Sequence, residues 1–413
     1  MADVRMRRPL RTALVLVALA RAASATDPGA LVLGRWVVLG PGGVVSARAV
    51  TTATTCPPLV VDGVARPMTQ RAAPSSAHPV RTCEADLPAG ARSAAVLGLP
   101  LPLPVDDPER IVVLGDTGCR LEPGADPVQA CNDPAAWPAA AIAAAATREQ
   151  PQLVIHTGDL LYRLRPCPPT AQAACGGSPS GDTFAAWHAD VLAPQAPLLA
   201  AAPWIVARGD HERCGVGADG WLRYFAPGPR PARCPARAAP YHLMLGALQL
   251  QVLDSSDADD LAAPAALVDG TRRDLAVLRE VIHSPAWLLT HRPVWSVRQD
   301  AGGVVTPTRT LQAAIGDGLE PAIHTVLSGH VHLLEHLAFA AQRPQQVVVG
   351  NGGAALAAEV RDPVAGTRID GALVAQWDAR HRFGYLVLQR VGKQWDARAK
   401  DETGREIARF TIR

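Results

Sequence analysis

The chain has 413 residues, 48% of them hydrophobic and 19% charged, with a formal net charge of +2. That length supports two domains and a core needing no special stapling, the composition excludes wholesale disorder, and the balanced charge gives no electrostatic case for nucleic-acid binding. The two lysines, Lys393 and Lys400, include one in Gly392-Lys393-Gln394, which lacks the hydroxyl residue that follows a phosphate-loop lysine and so excludes that kind of nucleotide-triphosphatase site.

The N-terminus reads as an export signal: a basic head up to Arg11, an apolar run Thr12–Ala20, then Ala23-Ser24-Ala25, with cleavage expected after Ala25. An apolar helix of nine residues rises only ~14 Å against a hydrocarbon layer of ~30 Å, so no stable membrane insertion is expected once residues 1–25 are removed. A periplasmic or extracellular destination follows. All eight cysteines, at 56, 83, 119, 131, 167, 175, 214 and 234, lie beyond the cut. An even number in an exported chain favours disulfides; eight cysteines allow 105 pairings, and pairing of sequence neighbours would give compact closures.

Between residues 26 and 108, short apolar runs separated by Gly, Pro and Ser predict a small β-rich N-terminal domain, with the proline-spaced Pro100–Pro108 as an extended linker. From 109 to 413 the pattern changes to strands alternating with helices. Strands are expected at Ile111–Gly115, Leu153–Thr157, Trp204–Ala207, Leu248–Leu253, Trp287–Thr290, Thr325–Ser328 and Gln346–Val349, with a closing β section at Tyr385–Arg390 and Ile407–Ile412. Helices are expected over Ala135–Arg148, Thr183–Leu192, Thr271–His283 and Thr308–Ile315; in the third, Leu275, Leu278 and Ile282 share one face. The fold class is therefore α/β, with one layered catalytic domain.

Five of these strands end in residues with chemistry. The segments are IVVLGDTG (Ile111–Gly118), LVIHTGDLLY (Leu153–Tyr162), WIVARGDHE (Trp204–Glu212), WLLTHRP (Trp287–Pro293) and TVLSGHVH (Thr325–His332). Carboxylates and imidazoles at the carboxyl ends of neighbouring strands converge on the crevice where open α/β sheets bind ligands. Asp116, Asp159, Tyr162, Asp210, His291, His330 and His332 supply too many oxygen and nitrogen donors for one tetrahedral ion and suit a pair of ions sharing a carboxylate. Any one Gly-Asp pair is ordinary turn chemistry; five motifs, each closing an apolar strand, are not.

In order and spacing these motifs resemble those of the calcineurin-like metallophosphoesterases, and within them the purple acid phosphatase branch: Gly-Asp-x-Gly, Gly-Asp-x-x-Tyr, Gly-Asn-His-Asp/Glu, a lone histidine and Gly-His-x-His, over about Arg110 to His332. The resemblance implies a metallophosphoesterase β-sandwich flanked by helices. It also implies that Asp116, Tyr162 and His332 hold Fe(III), that His291, His330 and residue 210 hold Fe(II), Zn or Mn, and that Asp159 bridges the two. Gly118 stands where many relatives have a metal-binding histidine, and Tyr162 would supply the missing donor and a violet phenolate-to-iron absorbance. Asp210 departs from the family's asparagine.

The implied reaction is phosphomonoester hydrolysis by in-line attack of a metal-bound hydroxide, with His211 as general acid, Glu212 as its partner and Arg292 as a candidate phosphate contact. The substrate would be a small phosphorylated molecule. A phosphodiesterase built on the same metal pair, or a catalytically silent metal-binding homologue, are the alternatives. The other histidines, at 78, 156, 188, 242, 283, 324, 336 and 381, read as structural or surface residues. Gly350-Asn351-Gly352-Gly353-Ala354-Ala355 fits a dinucleotide-binding spacing but lies at the far end of the sheet domain rather than in an opening strand–helix unit, which argues against a nicotinamide or flavin site.

Overall fold

The computed structural model describes Met1 and residues 31–413, apart from 123–127, 283–284, 301–302, 317, 341–342 and 362. The expected signal segment and its cleavage point lie outside the described residues, as does His283. Among the described residues, two large sheets face each other. The ten-stranded sheet runs, edge to edge, Glu406–Ile412, Gln394–Asp401, Gly384–Val391, Arg110–Leu114, Leu153–His156, Trp204–Val206, Val32–Leu39, Val45–Thr51, Arg81–Asp86 and Thr69–Ala72. The eight-stranded sheet runs Tyr241–Leu245, Leu248–Leu253, Ala286–Thr290, Ile323–Ser328, Gln345–Val349, Leu334–Phe339, Ala372–Arg380 and Arg368–Ile369.

Each sheet has a parallel centre. Arg110–Leu114, Leu153–His156 and Trp204–Val206 run parallel in one, and Leu248–Leu253, Ala286–Thr290, Ile323–Ser328 and Gln345–Val349 in the other. Strands buried on both faces read as near-continuous apolar runs, which is why these were visible in the sequence. Ile111, Val113, Ile155 and Ile205 of the first sheet meet Leu250, Trp287, Leu289 and Val347 of the second in the sandwich core. On the outer face of the first sheet, Ile142, Ala143 and Leu198 cover Val112, Val154 and Trp204. Leu278 and Leu311 cover Leu288 and Val326 on the outer face of the second. The result is a helix–sheet–sheet–helix sandwich, as the α/β class requires.

Two helix starts differ from expectation for local reasons. The alanine-rich helix spans Ala139–Arg148, because residues 133–137 form a turn: the Asp133 carboxylate accepts from the Ala135 amide (2.9 Å) and its carbonyl from the Trp137 amide (2.9 Å), and Pro138 then caps the helix. The helix expected from Thr271 starts at Ala265, just after Pro264, and spans Ala265–Glu280 with Gly270 inside it.

The N-terminal β region continues the first sheet: Val38 registers in parallel with Trp204. Arg48 and Arg71, both buried, donate to the carbonyls of Tyr224, Ala226 and Leu222, and Trp36 stacks on Phe225 at 5.4 Å. A small four-stranded sheet sits beside it. Within the Pro100–Pro108 stretch Leu101 is buried in the N-terminal core, while Pro100 and residues 105–107 are exposed.

Candidate metal centre

The carboxyl ends of the central strands open onto one rim, and the loops there are bonded to one another before any side chain is considered. The Asp116 amide donates to the Gly158 carbonyl (3.0 Å), and the Thr117 amide to that of Asp159 (3.1 Å). Asp116, Asp159 and His330 all take left-handed backbone conformations, at φ 56°, 55° and 70°. Such conformations cost about 1–3 kcal/mol each for residues with a side chain and collect at functional sites. The neighbouring glycines are required by close approach. A Cβ on Gly209 would stand 2.0 Å from Asp159 Oδ1, and one on Gly329 2.3 Å from Asp116 Oδ2.

All seven expected donors meet here. The Tyr162 hydroxyl is 2.8 Å from Asp116 Oδ1, 2.8 Å from Asp159 Oδ2 and 2.7 Å from His332 Nε2. His291 Nε2 lies 3.3 Å from Asp159 Oδ2 and 3.1 Å from Asp210 Oδ1, and His330 Nδ1 lies 3.1 Å from that same Asp210 oxygen. Donor atoms of Asp159, Asp210, His291 and His330 all fall within 4.8 Å of one another. Asp159 Oδ2 thus faces both groups.

Ring orientation is fixed from behind. His332 Nδ1 donates to the Ala355 carbonyl (2.8 Å) and His291 Nδ1 to that of Thr157 (2.9 Å), which turns each Nε2 lone pair inward. Beneath the centre, His156 Nε2 meets Thr117 Oγ1 at 3.1 Å; burial, then the neighbouring His291, lower this imidazole to about 3.

The donor chemistry fits cations. Asp116, Asp159 and Tyr162 are fully or almost fully buried, and anionic groups so placed need a compensating positive charge. Burial, then the charges of Asp116, Asp159 and Asp210, push the Tyr162 phenol well above its ordinary value, so its ionisation calls for a strongly charged cation. Burial opposes protonation of His291, but Asp159 and Asp210 outweigh it and hold that imidazole well above the usual range.

Around the donors the structure revises two assignments. Glu212 is not the partner of the His211 ring. Its buried carboxylate accepts from the amides of Gly209 (3.0 Å), Asp159 (3.0 Å), Leu160 (2.8 Å) and Leu161 (3.1 Å), tying the second motif to the third; burial, then Asp159, push it up to about 7. The carboxylate at His211 is Glu122, with Oε2 3.3 Å from His211 Nε2, while His211 Nδ1 donates to the Leu161 carbonyl at 3.1 Å. Burial works against a charged His211, but Asp159, then Glu122 and Asp210, raise it to about 10.

Arg292 also faces inward rather than toward solvent. Its Nη1 donates to Asp260 Oδ1 at 2.5 Å, and Nη2 lies 3.3 Å from Asp210 Oδ2. The guanidinium groups on the adjoining cavity wall belong instead to Arg120, paired with Glu122, and Arg298, paired with Asp260 at 3.2 Å. That cavity, of about 420 Å³, is floored by Asp159, Tyr162, Asp210, His330 and His332 and holds His211 at its edge. Glu122, Asp260 and Asp190 carried no motif. Asp190 accepts from the amides of Cys119 (3.1 Å) and Tyr162 (2.9 Å) and thereby joins the first two loops.

The glycine run at Gly350 has a supporting role. The Gly352 amide donates to the Gly115 carbonyl (3.0 Å) and the Ala354 amide to that of Asp116 (2.8 Å), so the run braces the first motif. Four disulfides close between sequence neighbours: Cys56–Cys83, Cys119–Cys131, Cys167–Cys175 and Cys214–Cys234. They fit an oxidising, exported setting. Among the described residues no helix is long and apolar enough to cross a membrane.

Residues 109–334 match the model of the calcineurin-like phosphoesterase family, more than half of the chain, and the protein belongs to that family. By family it is a phosphoesterase, and its donor set suits metal ions. Its fold resembles a purple acid phosphatase from yellow lupin (Lupinus luteus) seeds, at 16% identity over 91% of this chain and 73% of that one, with a TM-score of 0.57. It also resembles PhoD, at 13% identity over 92% of each chain, with a TM-score of 0.51. No curated protein sequence matches the chain.

Proposed function

We propose that the protein is an exported binuclear phosphomonoesterase. The observation that carries this reading is the placement of Asp159 Oδ2 between Tyr162 (2.8 Å) and His291 (3.3 Å), one carboxylate shared by two donor groups on the floor of a cavity. In this reading Asp116, Tyr162 and His332 would hold Fe(III), Asp210, His291 and His330 would hold Fe(II), Zn or Mn, and Asp159 would be the shared ligand. A phenolate is a hard anionic ligand and favours the trivalent ion; imidazoles suit the divalent one. When bound, the two cations would neutralise phosphate oxygens and acidify a water for attack on phosphorus near neutral pH.

The chain's own groups do the rest. His211, held between the Leu161 carbonyl and Glu122, protonates the departing alkoxide as general acid. Glu212 positions the two loops that carry Asp159 and Asp210. Arg120 and Arg298 line the cavity where a phosphate would enter, and its volume suits a small phosphorylated substrate. Residues 1–25 act as the cleaved signal, 26–108 as the β-rich accessory region and 109–413 as the catalytic unit.

The test is hydrolysis of p-nitrophenyl phosphate against bis-p-nitrophenyl phosphate by the metal-loaded protein. Preference for the monoester is expected; preference for the diester would make it a phosphodiesterase, and no hydrolysis of either a silent homologue.

A further inference from the structure

Beside the histidine-rich half of the centre lies a chain of charges, buried at Arg292 and half-buried at Asp210, Asp260 and His330. Arg292 bridges the two carboxylates, and His330 Nε2 lies 2.8 Å from both Asp260 Oδ2 and Arg292 Nη1. The arrangement is held from its backbone: the Arg292 amide donates to Ser255 Oγ (2.8 Å), on the same loop that carries Asp260. Arg292 is only 7% exposed. Of the three donor carboxylates, Asp116 and Asp159 form ion pairs with histidines alone among the described residues, whereas Asp210 also pairs with a guanidinium.

A fixed positive charge at this distance, in a site of low dielectric, repels a cation and attracts an anion. Resting on the binuclear phosphatase reading, we propose that Arg292 is a positioning residue: a built-in countercharge, clamped by Asp260 against Asp210. It weakens the hold of the histidine-rich half on its cation and strengthens the hold of the loaded centre on phosphate. Asp260 fixes the guanidinium, and together with Arg292 it orients the His330 ring so that Nδ1 faces the donors. The two effects have opposite signs, which loss of packing cannot imitate, because a loosened site holds both cation and phosphate less well.

The experiment uses the metal-loaded full chain and the variants Arg292→Gln, Arg292→Lys, Asp210→Asn and the Asp210→Asn/Arg292→Gln double. Two quantities are followed: the rate at which metal is lost to a chelator, and the calorimetric affinity for inorganic phosphate. Arg292→Gln is expected to lose metal about tenfold more slowly and to bind phosphate about tenfold more weakly. Asp210→Asn should move both quantities the other way, and the double variant should return both to within about threefold of wild type. Arg292→Lys keeps the charge and should stay near wild type, which also covers the case in which Arg292→Gln does not fold. Faster metal loss in Arg292→Gln, or phosphate bound by that variant as tightly as by the wild type, would overturn the countercharge. Failure of the wild type to hydrolyse any ester would instead overturn the phosphatase reading, and the metal-loss comparison would still stand.

Discussion

The two halves of the centre share Asp159 but balance charge differently. Asp116, Asp159 and Tyr162 crowd oxygen atoms together within 2.8 Å contacts, with His332 as the nearest nitrogen donor. On the other side Asp210 meets two imidazoles and a guanidinium, and although burial opposes it, Arg292 and His330 hold its carboxyl well below the usual range. The oxygen-rich half depends on a cation from outside for compensation, and the histidine-rich half carries part of its own. A highly charged ion therefore suits the first and an exchangeable divalent ion the second.

The shared carboxylate gives the largest expected effect. Asp159→Ala should empty both halves together and reduce turnover on the order of 10³-fold or more, checked by metal content and steady-state kinetics. Loss of one ion only would mean that the halves are independent. Next, His211→Ala should cost about 10²–10⁴-fold for alkyl phosphates and far less for p-nitrophenyl phosphate, whose leaving group needs no proton. Equal losses for both esters would remove the general-acid role.

Tyr162→Phe separates the halves. It should abolish any visible absorbance and iron retention while leaving the divalent ion bound, with turnover lowered by about tenfold to a hundredfold. An unchanged spectrum would place iron elsewhere.

The smallest effect lies outside both halves, at Glu335. Burial pushes this carboxyl up to about 7, against the donors Ser296, Trp377 and Val297. Because its folded value is raised, its contribution is complete below the ordinary carboxyl range and is lost as pH rises through about 7, a change of about 3 kcal/mol at most. Thermal melts of the wild type should fall between pH 5 and 8, and Glu335→Gln should flatten that slope without altering metal content.

The donors were legible in the sequence because each follows a glycine or closes an apolar strand, so local pattern and chemistry coincide at Asp116, Asp159, Asp210, His291 and His330. What surrounds them was not. Glu122 and Asp260 come from loops whose paths are set by tertiary contacts, and no spacing rule places their carboxylates beside His211 and His330. Arg292 follows a donor histidine, yet only the position of Asp260 decides that its guanidinium turns inward. The strand Gln394–Asp401 carries a weak apolar signal although buried and half-buried residues alternate along it, because its buried positions are Trp395, Ala397, Ala399 and Asp401. Strand Ala372–Arg380 offers even less, with no alternation and Val374 its single buried residue.

Metal analysis of the purified protein, read together with its visible spectrum, tests the bimetallic centre most directly. Two ions per chain, one of them iron with a violet phenolate band that disappears in Tyr162→Phe, are the expected result. A single ion per chain, or none after loading with iron and zinc, would contradict it.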